Sequence, residues 1–126
     1  MSEPYYIWSE TPGGGCPNFL TGAGIYLQSV WAGYAGVRYT DDSLHVTAPR
    51  LLPNTTSLTL RGISYAGARL LLEVSQGGAA TLQRLDEQGA AALLVAVGDG
   101  PGVLLTAAAP AAIPPRARAR VFVAAT

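Results

Sequence analysis

The sequence predicts a mainly β protein: a C-terminal β-sandwich or jelly-roll-like domain, preceded by a loop and one buried helix. Three observations carry this reading. From Val37 onward apolar residues recur at every second position, as in half-buried strands. Glycine-rich turns separate those runs. Ahead of them, residues 18–36 are apolar without any two-residue period, which fits a helix surrounded on all sides.

The loop comes first. Tyr5, Tyr6 and Trp8 lead into Ser9-Glu10-Thr11-Pro12-Gly13-Gly14-Gly15-Cys16-Pro17. Two prolines and three glycines in nine residues exclude a helix here. The helix follows over Asn18–Gly36, with Asn18 as a suitable N-cap. Phe19, Leu20, Ile25, Leu27, Val30, Trp31 and Tyr34 leave it almost without charge until Arg38. Gly22, Gly24 and Gly33 each cost about 1 kcal/mol against Ala inside a helix. Such glycines are expected where another backbone or a ligand comes close. A β-domain of this size has little material to surround such a helix, so a segment of this kind on its own is expected to present an exposed apolar patch.

The strands come next. Leu58 and Leu60, then Ile63 and Tyr65, then Leu70, Leu72 and Val74 alternate with smaller or polar residues. The parity slips at Gly62, which predicts a bulge or break. Ala66-Gly67 is a hairpin turn between Tyr65 and Leu70. Gly98-Asp99-Gly100-Pro101-Gly102 links Leu93–Val97 to Val103–Thr106, and Val121–Val123 makes a last strand. Arg116, Arg118 and Arg120 alternate and are expected on one face of a solvated edge strand. The division is therefore 1–36 and 37–126.

Composition bounds function. The 126 residues carry no net charge and only 13% charged residues, with 49% apolar. This argues against disorder and gives no electrostatic case for nucleic acid or an anionic membrane. All eight basic residues are arginine, for which there is no physical account. One cysteine, Cys16, allows no internal disulfide, and one histidine with it makes no common zinc site. No cofactor is expected. Met1–Pro4 has neither a basic nor an apolar leader region, so a cytoplasmic location is the expectation. The apolar runs near Ala90–Val97 and Val103–Ile113 fall short of the ~20 residues of a membrane span. Asn54-Thr55-Thr56 fits the glycosylation acceptor pattern, which matters only in a secreted chain.

Few residues offer chemistry. Glu10 follows an aromatic cluster and opens a Gly-rich loop, where a carboxylate can face a cleft. Glycosidic bonds are cut by paired carboxylates, and sugars stack on aromatic faces. Read alone, a loop glutamate is more often solvated, and Tyr5-Tyr6-Ile7-Trp8 more often core than sugar platform. Thr21-Gly22-Ala23-Gly24 is no nucleotide fingerprint, since the third glycine and the preceding strand are missing. His45, after the turn Asp41-Asp42-Ser43, reads as a strand residue facing out or hydrogen-bonded.

The order of motifs adds a further reading. Tyr6-Ile7-Trp8-Ser9-Glu10, Asn18-Phe19-Leu20-Thr21-Gly22-Ala23-Gly24, Leu27-Gln28-Ser29 and Gly33-Tyr34-Ala35-Gly36-Val37-Arg38 resemble the C-terminal part of family 65 glycoside hydrolases, in the acid-trehalase-like branch. Leu51-Leu52-Pro53, residues 57–67 and Leu70-Leu71-Leu72-Glu73-Val74 continue the likeness, which covers residues 5–75 and is weak beyond 76. One departure is Ile25, where a second glycine after Gly24 is expected. The resemblance implies a parent enzyme with an (α/α)6 barrel, of which 1–36 is the last piece, and a C-terminal β-domain. It implies inversion at the anomeric carbon of an α-glucoside, a carbohydrate substrate, Glu10 as general base and Trp8 as a substrate contact. The general acid belongs to earlier barrel segments. In phosphorolytic members this region instead helps to hold phosphate, and the base Glu is not used. A non-catalytic β-domain with a structural or carbohydrate-binding role is the alternative.

Overall fold

A computed structural model describes residues 11, 13–15, 19–86 and 91–125 of the chain. One helix, α1, spans Leu20–Gln28 and runs into a π-helical turn at Ser29–Tyr34. Asn18 lies outside the described residues. Phe19 holds the N-cap position, in extended conformation and without a side-chain cap bond. The helical segment ends where Gly36 adopts φ +73°. A Cβ there would stand 2.1 Å from the Thr47 carbonyl oxygen, so only glycine fits.

The strands are β1 (Val37–Tyr39), β2 (Leu44–Thr47), β3 (Ser57–Tyr65), β4 (Ala68–Ser75), β5 (Ala80–Arg84), β6 (Leu93–Val97), β7 (Val103–Leu104), β8 (Ala111–Ile113) and β9 (Arg118–Val123). They form two antiparallel sheets, ordered β1-β2-β9-β6-β7 and β3-β4-β5-β8. The molecule is thus mainly β, with the two layers of a sandwich. Alternation places Leu44, Val46, Leu93 and Val121 of one sheet against Leu70, Leu72, Leu82 and Ile113 of the other, all buried. Each such side chain contributes roughly 1.5–3 kcal/mol on burial.

The turn chemistry follows the sequence. Ala66 at φ +49° and Gly67 at φ +79° close the β3–β4 hairpin in the left-handed pair that two-residue hairpins need. The β3–β4 register shifts between Arg61 and Ile63, so Gly62 is the extra residue of a bulge. The 98–102 turn joins β6 to β7, although β7 pairs over only two residues. Two tyrosines tie the sheets together. Tyr39 Oη donates to the Ser64 carbonyl and Tyr65 Oη to the Asp42 carbonyl, each at 3.0 Å.

Two expectations change. β9 is no edge strand: it lies between β2 and β6, and Arg118 and Arg120 stand on the exposed face of an interior strand. Arg116 precedes it, at φ +64°, so the three arginines do not share one strand. Both edges of the strand are hydrogen-bonded, to β2 and to β6, while its alternate residues Ala119 and Val121 face the core. The helix is apolar all round and, as expected of such a segment on its own, this chain does not bury it: none of Leu20–Gln28 is buried. Leu20 is 82% exposed, Leu27 62% and Ile25 59%. Nor does anything in the chain approach Gly24 or Gly33. The helical segment docks instead through its C-terminal turn, where Ala35 joins the core and Trp31 meets Tyr39 edge-on, with ring centroids 6.5 Å apart.

Candidate functional site

The residues proposed for chemistry, Glu10 and Trp8, lie outside the described residues, as do Tyr5, Tyr6 and Cys16. The described positions just after Glu10 show how the loop turns. Thr11 N–H donates to the Gly14 carbonyl at 3.0 Å and Gly14 N–H to the Thr11 carbonyl at 3.2 Å. Thr11 Oγ1 donates to the same Gly14 carbonyl at 2.8 Å. Gly14 and Gly15 take φ +139° and +87°, which side chains rarely adopt. Thr11 and the glycines thus make a tight turn, as the sequence led us to expect of this glycine-rich stretch.

Elsewhere the structure gathers polar groups at the β1–β2 turn. Ser43 Oγ donates to Asp42 Oδ1 at 2.9 Å and lies 2.9 Å from His45 Nε2 and 2.8 Å from Thr40 Oγ1. With its proton on Asp42, Ser43 is free to accept from His45 Nε2–H. Hydrogen bonds from Ser43 and Thr40, helped by the Arg120 charge, hold the Asp42 carboxyl below its ordinary value. A Ser, a His and an Asp within bonding distance invite comparison with a hydrolytic triad. The geometry rules it out: Asp42 touches the serine and not the imidazole, and Ser43 is 2% exposed. The cluster locks a turn.

One charged side chain is deeply buried. Arg84 faces the interior from β5, with Nη1 donating to the Ala91 carbonyl at 3.0 Å and Nε to the Asp86 carbonyl. It therefore ties together the two ends of the β5–β6 connection. Among the described residues no group of His, Cys, Asp and Glu could hold a metal ion. No described helix is long and apolar enough to cross a membrane.

Comparison with known proteins gives the strongest lead. No protein-family model and no solved structure matches the chain. Curated relatives do. The chain is 43% identical over 67 residues to the protein-glucosylgalactosylhydroxylysine glucosidase of Dictyostelium discoideum, covering 53% of this chain and 9% of that protein. It is 38% identical over 77 residues to the protein of that name in Gallus gallus, covering 60% and 11%. This chain is similar to part of a family 65 glycoside hydrolase. A kojibiose hydrolase of Mucilaginibacter mallensis shares 33% identity over 63 residues, 50% of this chain and 9% of that protein. The chain thus covers about a tenth of the length of these glycoside hydrolases. The matched lengths are close to the stretch from residue 5 to 75 that carries the family 65-like motifs.

Proposed function

We propose that this chain forms part of an inverting α-glucoside hydrolase, in which residues 1–36 complete a helical catalytic domain and residues 37–126 make its β-domain. Glu10 is the general base and Trp8 a substrate contact. The observation that carries the reading is the likeness to several glucosidases and a kojibiose hydrolase over about half of the chain. The exposed apolar sides of α1 support it, because Leu20, Ile25 and Leu27 need partners that the sandwich does not supply.

The chemistry needs two carboxyl groups. One protonates the leaving oxygen, while the other takes a proton from water attacking the opposite face of the sugar. Inverting sites hold them about 6.5–9.5 Å apart to admit that water. Glu10, at the head of a tight loop, is the water-activating member. The acid is supplied from outside residues 1–126, so the chain alone does not hydrolyse glycosides. A phosphorolytic parent is disfavoured by Glu10, since phosphate needs no base to attack.

A graft tests this. Residues 5–75 replace the corresponding segment of the Dictyostelium discoideum relative, and turnover of an α-glucoside is measured with and without Glu10→Gln. The expected loss is about 10²- to 10⁴-fold in rate, the usual contribution of a positioned base, with a small change in substrate binding. Azide, which needs no base, should restore part of the turnover and give a β-configured product. Near-equal turnover of the two grafts would sink the assignment of Glu10. A graft without activity in either form would count against the equivalence of the segments.

A further inference from the structure

The outer face of the five-stranded sheet carries a polar groove of about 370 Å³ that the reading above does not use. Its floor is built by strand alternation: His45 on β2 stands opposite Arg120 on β9, and Arg118 follows two positions along. Asp42 of the β1–β2 turn closes one side, and Asp99 of the β6–β7 turn contributes the other.

The charges in this groove are balanced and unpaired. Among the described residues the one ion pair is Arg84–Asp86, so neither aspartate closes on either arginine. Arg120 lies 4.5 Å over the Phe122 ring and acts on Asp42 through its charge without closing an ion pair. Asp42 is kept ionised and oriented by Ser43 and Thr40. His45 spends Nε2 on Ser43, which leaves Nδ1 for a further hydrogen bond. The groove therefore presents donors beside acceptors, with the aspartates and arginines further apart than a salt-bridge length and with no net charge.

We propose that this groove binds a neutral polyhydroxyl ligand, a sugar. Adjacent hydroxyls each donate one hydrogen bond and accept others, so a diol satisfies an arginine and an aspartate at once. A bare anion would gain from Arg118 and Arg120 but be repelled by Asp42 and Asp99. The volume lies within the range of small-molecule clefts, about 300–1,000 Å³. The groove is open and polar, so affinity is millimolar. This inference rests on the groove's own residues and not on Glu10, and binding is read without turnover.

The test is a nuclear magnetic resonance titration of the 126-residue chain with methyl α-glucoside, methyl α-galactoside and methyl α-mannoside, and separately with inorganic phosphate. At least one glycoside should shift the signals of Asp42, His45, Asp99, Arg118 and Arg120 in a saturable way. Asp99→Asn and Arg118→Gln should each weaken that binding by about tenfold, the loss expected for a hydrogen bond to a charged group. Arg61→Gln, on the outer face of the other sheet, should leave it unchanged. Saturable shifts from phosphate alone would overturn the proposal in favour of an anion site. It would equally be overturned by no glycoside response at millimolar concentration, by shifts confined to other surfaces, or by an Arg61→Gln loss equal to that of Arg118→Gln.

Discussion

Ser43 shows how much one buried hydroxyl can organise. Its Oγ is shared among Asp42, Thr40 and His45, and its hydrogen bond is the largest cause holding the exposed Asp42 carboxyl below its ordinary value. Asp42 has its folded-state pKa lowered, so the turn gains stability while the carboxylate is ionised. That gain is present above the ordinary carboxylate value near 3.8 and is lost as pH falls through the lowered one. Ser43→Ala removes the largest cause of the shift. The Asp42 carboxyl titration, followed by carbon-detected resonance, should then move up toward 3.8, and the acid limb of turn stability should move up with it. An unchanged titration would mean that Thr40 and Arg120 hold the carboxylate without the serine. Neither this cluster nor the buried Arg84 was legible in the sequence. His45 was read as a hydrogen-bonded strand residue, which it is. Its partner two residues back on the chain depends on a turn conformation that spacing does not specify. Arg84 sits where β5 alternation demands an apolar residue, and only the paired ends of the next loop explain its presence.

At the scale of elements, the junction of helix and sandwich rests on Gly36. The π-helical turn, in which the Ala35 N–H reaches the Val30 carbonyl, delivers the chain to a left-handed residue. Thr47 N–H donates to the Gly36 carbonyl at 3.0 Å, and the Arg50 N–H caps the Tyr34 carbonyl at 2.8 Å. Gly36→Ala adds positive-φ strain to a clash with the Thr47 backbone. A loss of about 2–4 kcal/mol is expected, seen as a lower urea midpoint with an unchanged slope. A midpoint equal to that of the parent chain would show that β2 can retreat to admit the methyl group. The change from helix to strand near residue 36 was readable in the sequence because the apolar period changes there. The pairing of β9 between β2 and β6 was not readable, because arginines at alternate positions look the same on an edge strand and on the outer face of an interior one. What decides is pairing on both sides, with β2 and with β6, a property of the assembled sheet.

Over the whole molecule, the sandwich and its exposed helix follow from patterns that the chain displays openly, whereas the catalytic assignment rests on residues 8 and 10 and on likeness to longer proteins. β3 is nine residues long and borders its sheet, with β4 on one side and no described strand on the other. The extra residue at Gly62 breaks its ladder with β4 between Arg61 and Ile63. Because Leu58 and Leu60 face inward before the bulge and Ile63 and Tyr65 after it, deleting Gly62 would leave all four facing the core. The fold should survive, and the strand should become a straight, uninterrupted template. Fibre formation by the deletion variant, followed by thioflavin fluorescence and sedimentation over time, should therefore exceed that of the parent at equal concentration, with the two starting from the same circular dichroism spectrum. Equal rates would mean that Arg61 and the neighbouring polar residues suffice. On this reading a glycine that weakens one hairpin acts as a polymerisation stop, keeping each chain from nucleating growth on the next.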